Sequence, residues 1–435
     1  MNSHSKTRIT AVIGAAAIVA ASLAACSAGG GGDAKVTISY LTGTDVTNAT
    51  MAHDLIAAFE KQNPNITVKL DAAAAGGSAD NDVKTKLSTG TMSDVFFYNS
   101  GSLFQALNAD TKLVDLSDQP WAKSLTSDFK KTVSTKKGLY GGPLGASLGG
   151  GVLYNYGVYK KLGLSVPKDW KEFISNSEAI KAAGITPIEA TYGDTWTSQI
   201  IILADYANIE AQQPNWAADY TANKAKYSDQ PALTSFQHLS EIHEKGLLNA
   251  DFASATNAQG LKAVAEGTAG QYPMLSALIS TIQQNSPDHV NDVGFFPLPA
   301  DKASDTQLTV WQPSALYIPR TTTGAKLDAA KKFIAFALSK KGCELQGKDL
   351  PPSGPFVTSL CALPSNVPAL LKDMTPYFAS KKTAPALEFL SPVKGPNLEA
   401  ICVQVGEGIT SPKDGAALYD EDVKKQAQQL GLKGW

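Results

Sequence analysis

The string Gly145-Ala146-Ser147-Leu148-Gly149 matches the G-x-S-x-G elbow that presents a serine nucleophile in hydrolases. Such an elbow needs a buried strand before it, a helix after it, and an acid and a histidine further along the chain. Here it sits in a glycine-rich run from Gly138 to Gly151 that leads into the strand-like Val152-Leu153-Tyr154. The histidines downstream are His238 and His243 in an amphipathic segment and His289 in a turn. His238 and His243 miss the i, i+4 spacing that places two metal ligands on one helix face, so they read as a solvated helix surface. A surface hydrolase using Ser147 is kept as the lesser alternative. No catalytic set, metal site or cofactor is expected.

Binding chemistry is better represented. Thr42 and Gly43 follow a first β-rich segment, within Leu41-Thr42-Gly43-Thr44-Asp45, and Tyr98 and Asn99 follow an apolar one. In parallel α/β sheets ligands gather at the carboxyl ends of strands, and both loops offer hydroxyl, amide or aromatic groups beside a glycine. Ordinary turns use the same residues, so position is what favours a ligand role. Asp194-Thr195-Trp196 lies in a polar loop, and Trp311-Gln312-Pro313 stands just before a strand. An exposed indole can stack on the C–H face of a sugar while nearby Asp, Asn and Gln bond its hydroxyls; the other reading is that both tryptophans are core.

The elements that must position these residues follow a βαβ order. Val36–Leu41 and Ile66–Leu70 alternate as strands, with Ala52, Leu55, Ile56 and Phe59 at helical spacing between them and Pro64 as a stop. That unit predicts a parallel sheet and an α/β fold. Val95–Tyr98 is a continuous apolar run, as in a strand covered on both faces. Asp169 and Glu172 form a capping-box pattern for a helix ending at Gly184, and helices are also predicted over 82–87, 231–246, 328–338 and 412–430. Val293–Phe296 and Ala315–Ile318 read as strands.

Localisation is written at the other end of the chain. Lys6 and Arg8 precede an almost uncharged stretch from Ile9 to Ala25, too short for a permanent membrane span, and Leu23-Ala24-Ala25-Cys26 fits the cleavage box of bacterial lipoproteins. Residues 1–25 are expected to be a signal peptide and Cys26 a diacylated anchor, with residues 26–34, including four consecutive glycines, as a flexible tether. Removing 25 residues from 435 leaves 410, enough for two substantial domains, and the 36 basic residues that remain face 40 acidic ones. That balance, with no nucleic-acid motif, excludes a nucleic-acid partner. Of the remaining cysteines, Cys343 and Cys361 flank a Gly/Pro-rich loop; either they are bridged, or they and Cys402 are three independent buried thiols.

Longer strings carry a family likeness. Tyr140-Gly-Gly-Pro-Leu-Gly145, Val152-Leu-Tyr-Asn-Tyr-Gly-Val-Tyr-Lys-Lys-Leu-Gly-Leu164, Val166-Pro-Lys-Asp-Trp-Lys-Glu-Phe173 and Ala182-Ala-Gly-Ile-Thr-Pro-Ile188 resemble the extracellular solute-binding proteins of carbohydrate ABC importers. Ala58-Phe59-Glu60, Ser93-Asp94-Val95, Gly294–Pro299 and Gly408–Pro412 extend the likeness over nearly the whole mature chain. It implies a two-lobed α/β fold of the periplasmic-binding-protein type II, with sugar in the cleft and crossings near Gly145, Pro313 and Pro376. The lobes would be residues 35–145 with 314–377, and 146–313 with 378–435. The sugar-contacting positions implied are Thr42, Gly43, Tyr98, Asn99, Asp194, Trp196 and Trp311. The expected partners are a saccharide and permease subunits in the same membrane, with the receptor a monomer. A polyol, phosphorylated compound or peptide is the alternative ligand. Tyr272–Ala277 lacks a Gly-Ser-Trp often found there, and Pro351-Pro352-Ser353 replaces a typical Pro-Ala-Arg.

Overall fold

Alternation places Ile38, Tyr40 and Thr42 on one face of strand β1 (Val36–Thr42), and all three are buried. The computed structural model describes residues 35–43, 46–72, 78–348 and 351–435; Cys26, the leader, the tether, Thr44 and Asp45 lie outside them. β1 pairs in parallel with β2 (Ile66–Ala72) and β3 (Val95–Tyr98). β3 is buried except for a half-buried Phe97. β4 (Gly142–Pro143) and β10 (Ala315–Tyr317) complete a first sheet in the order β2-β1-β3-β10-β4, with β10 antiparallel to both neighbours. The helices Val46–Gln62 and Gly324–Ala337 cover it, and Phe333 packs 5.2 Å from Phe59 and 5.3 Å from Tyr40.

The second sheet is built on β5 (Leu148–Asn155). The others are β6 (Thr186–Ile188), β7 (Ala269–Leu275), β8 (Val293–Pro297), β9 (Leu308–Trp311) and β11 (Thr383–Pro385), in the order β11-β9-β5-β7-β6 with β8 also on β5. β9 pairs along Leu148–Gly150 and β8 along Gly151–Asn155. Alternate residues then feed two apolar cores. Val152, Tyr154 and Phe296 join one, while Leu153 and Phe295 join the other. The helix Trp170–Ala182 starts as its capping pattern predicts, with Asp169 Oδ1 accepting from the Glu172 N–H at 2.9 Å; Glu172 reaches back to the N–H of Lys168 instead of Asp169.

The chain passes between the sheets in the stretch from Pro143 to Leu148 and again from Trp311 to Ala315. A third passage runs between Val357, buried in the first core, and Val367, buried in the second lobe. This moves one expected boundary. Pro376 lies inside the helix Ala369–Ala379, whose Leu370, Leu371 and Met374 are buried in the second lobe, so this helix does not belong to the first lobe. The shift follows from burial, because its apolar face has Phe295 and Val310 to pack against.

Candidate ligand-binding cleft

Trp311 ends β9, pairs in register with Leu148 of β5, and remains half-buried. Its indole comes close to Gly150, where a Cβ would lie within 2.6 Å of Cζ3, so the bare backbone is what lets the ring approach the sheet. The ring borders an open cleft of about 510 Å³. One wall is the end of β3, with Asn99, Ser100 and Ser102; the other is the segment Glu388–Lys394, with Gln426 behind it. Leu148 and Gln312, at the first two passages, lie between them.

The first wall is tied down. Asn99 Oδ1 accepts from Ser314 Oγ at 3.3 Å, the Asn99 carbonyl accepts from the Tyr317 hydroxyl at 3.1 Å, and Ser100 Oγ donates to the Pro313 carbonyl at 2.9 Å. At the first passage, Gly145 N donates to Gln346 Oε1 at 2.7 Å. Gly101 has φ +73°, and a Cβ there would meet Phe389 Cδ1 at 2.6 Å and Phe389 Cα at 2.8 Å. The two walls therefore touch through a backbone approach that only glycine permits. Phe389 is buried yet belongs to none of the three apolar cores.

Of the residues expected from the sequence, the structure brings Asn99 and Trp311 into this cleft. Thr42 is buried on the core face of β1 and accepts from the Tyr40 hydroxyl at 3.4 Å, with Gly43 half-buried after it. Tyr98 is also buried, and desolvation, with the Asp80 carboxylate nearby, raises its pKa well above the ordinary phenol value. Asp194 Oδ2 accepts from the Asn257 N–H at 2.7 Å, at the start of the helix Asn257–Glu266, and Trp196 packs half-buried against the second lobe's core. None of these five lines the cleft. Gln312, noted beside Trp311, does, and so do Glu388 and Lys394, which sequence reading missed. The one available signal was an acid and a lysine on a proline-punctuated segment, Pro385 to Pro396.

Ser147 is fully buried, and its Oγ donates to the Pro355 carbonyl at 2.7 Å, so its proton is held by a backbone carbonyl and not by a base. His238 corrects the reading of a solvated surface. It is buried, stacked 3.7 Å from Trp170 at 7°, with Nε2 bonded to Asp301 at 2.8 Å. Cys343 and Cys361 are bridged, with Cα atoms 5.4 Å apart, and Cys402 is a free buried thiol. Two buried carboxyls of the second lobe lie away from the cleft: burial pushes Glu189 up to about 7 and Asp205 up to about 6. Among the described residues no helix is long and apolar enough to cross a membrane.

Comparison with known proteins agrees with this architecture. The family model of bacterial extracellular solute-binding proteins matches residues 44–342. The Multiple sugar-binding protein of Streptococcus mutans is 24% identical over 349 residues, covering 79% of this chain and 81% of that protein. Among solved structures, a binding protein of Bacillus subtilis in an open conformation superposes with TM-score 0.76 at 19% identity, over 92% of this chain and 99% of that one. The binding protein RafE in complex with raffinose gives 0.70 at 20% identity, over 91% and 100%. The fold shared with them is the two-lobed α/β architecture of solute-binding proteins.

Proposed function

The chain belongs to the bacterial extracellular solute-binding proteins, and we propose that it captures a sugar or oligosaccharide between its lobes and delivers it to an ABC importer. The observation that carries this reading is the half-exposed indole of Trp311 on the floor of a cleft walled by amides, hydroxyls and one carboxylate. A flat apolar ring edged by hydrogen-bonding groups complements the two faces of a pyranose. The relatives named above bind multiple sugars and raffinose, which supports the same class.

Binding is proposed to work as a hinge. Three passages join the lobes, and a ligand that bonds both walls favours the closed form by its differential affinity for that form. No bond is made or broken. Cys26 is proposed to carry the lipid that holds the receptor at the outer face of the membrane, and the glycine tether gives it reach toward the permease. A thermal-shift screen over mono- and oligosaccharides tests the ligand class, because a ligand that binds only the folded chain raises its melting temperature. Silence across sugars with a response to a polyol, phosphorylated compound or peptide would replace the saccharide. Release of Cys26→Ala protein into the medium tests the anchor.

A further inference from the structure

We propose that Glu388 and Lys394 are the specificity-determining residues of the cleft, and that together they select an uncharged polyhydroxylated ligand over both acidic and amino sugars. The inference rests on the saccharide reading above and adds to it a reason for discrimination. Among the described residues lining the cleft, these two carry the only charges. Neither makes a hydrogen bond or an ion pair with any described residue, and they are not paired with each other, although lysines and carboxylates elsewhere pair freely. Both also line a second cavity of about 20 Å³ that shares Trp311, so both stand beside the indole that would carry the sugar ring. Phe389, next to Glu388, is seated on Gly101, which holds this carboxylate at the junction of the two walls.

The free valences match a hydroxylated ligand. A carboxylate accepts from two adjacent hydroxyls, and an ammonium donates to hydroxyl or ring oxygens. Gln312 is buried, and its Oε1 has no partner, leaving a further acceptor in the cleft wall for a ligand donor. A uronate or sugar phosphate gains from Lys394 but meets Glu388; an amino sugar gains from Glu388 but meets Lys394. Either way one unpaired like charge is brought up to the ligand, and specificity against that ligand follows. A neutral sugar uses both groups and meets no repulsion.

Titration calorimetry with three sets of probes tests this: galactose, raffinose and maltotriose as neutral sugars, galactosamine and the glucosamine trimer as cations, galacturonate and its trimer as anions. The wild type is expected to bind its best neutral sugar about tenfold or more tighter than any charged one at low salt. Glu388→Gln should weaken the neutral sugar about tenfold and shrink the margin against galacturonates, while Lys394→Gln should shrink the margin against amino sugars. Unchanged melting temperatures establish that both variants are folded. A charged probe that binds the wild type as tightly as the best neutral sugar overturns the proposal, as do margins that neither substitution moves. A wild type that ignores every sugar but responds to another solute overturns the saccharide reading itself.

Discussion

The two walls of the cleft are built on opposite plans. On the first, Asn99 and Ser100 spend hydrogen bonds on Ser314, Tyr317 and Pro313, so the wall is a ledge fixed to its own sheet and to a passage between lobes. On the second, Glu388 and Lys394 spend none, and the anchor is the ring of Phe389 lying against the backbone of Gly101. The difference separates two tasks that a binding protein must perform together. A wall whose polar side chains are tied to the protein supplies position, although Asn99 Nδ2 stays free to meet a ligand, and a wall with uncommitted charges supplies choice.

The strongest way to break this contrast is Gly101→Val. A side chain at positive φ and an overlap with Phe389 each cost about 1–3 kcal/mol, so stability should fall and ligand affinity should drop about tenfold or more. Adding Phe389→Ala should restore part of the affinity, because the contact with Cδ1 is removed while the approach to Cα and Cβ and the backbone strain stay. Calorimetry showing no recovery would mean that the walls do not meet through this pair.

Next in size is the covalent staple of the first lobe. Replacing Cys343 and Cys361 together by serine opens a loop of separation 18 and should lower unfolding stability by about 3 kcal/mol, measured by denaturant titration. Trp311→Ala should weaken sugar binding by about 1–3 kcal/mol, whereas Trp196→Ala should leave affinity unchanged and lower the melting temperature. Equal losses of affinity in both variants would return Trp196 to the site.

A further expected effect concerns pH and is confined to the second lobe. Burial raises the folded-state pKa of Asp205 from 3.8 to about 6 and of Glu189 from 4.5 to about 7. The folded chain therefore holds these protons more tightly than the unfolded chain. Their stabilising contribution is present below the unperturbed values and is lost as pH rises through about 6 and about 7. Glu189→Gln should flatten the upper part of that decline in a series of melting curves. A slope identical to wild type would show that Glu189 titrates normally.

What the sequence made legible followed from periodicity and caps. The alternation of Ile38 and Tyr40, the apolar run at Val95–Tyr98 and the Asp169 cap each have a local physical cause, and each element is present. The same alternation contained a warning about Thr42. It shares the face of Ile38 and Tyr40, and that face is the core. Asp194 misled for a different reason: an acid in a polar loop reads as a ligand group until the helix whose N–H it accepts is known. β5 was legible only from Val152, because Gly149, Gly150 and Gly151 carry no side-chain pattern to read. Glu388 and Lys394 gave little signal because their place in the cleft depends on a wall 287 residues away in sequence, reached from Gly101 to Glu388 only through the fold.

Trp311 also makes the protein its own optical reporter. Trp121, Trp170 and Trp216 are buried, Trp196 and Trp435 are half-buried away from the cleft, and these five provide the emission background. The Trp311 indole is half in solvent, fixed on Gly150 at the cleft, where a ligand would change its polarity. Occupancy should therefore be readable as a blue shift of intrinsic fluorescence, without a label and at concentrations too low for calorimetry.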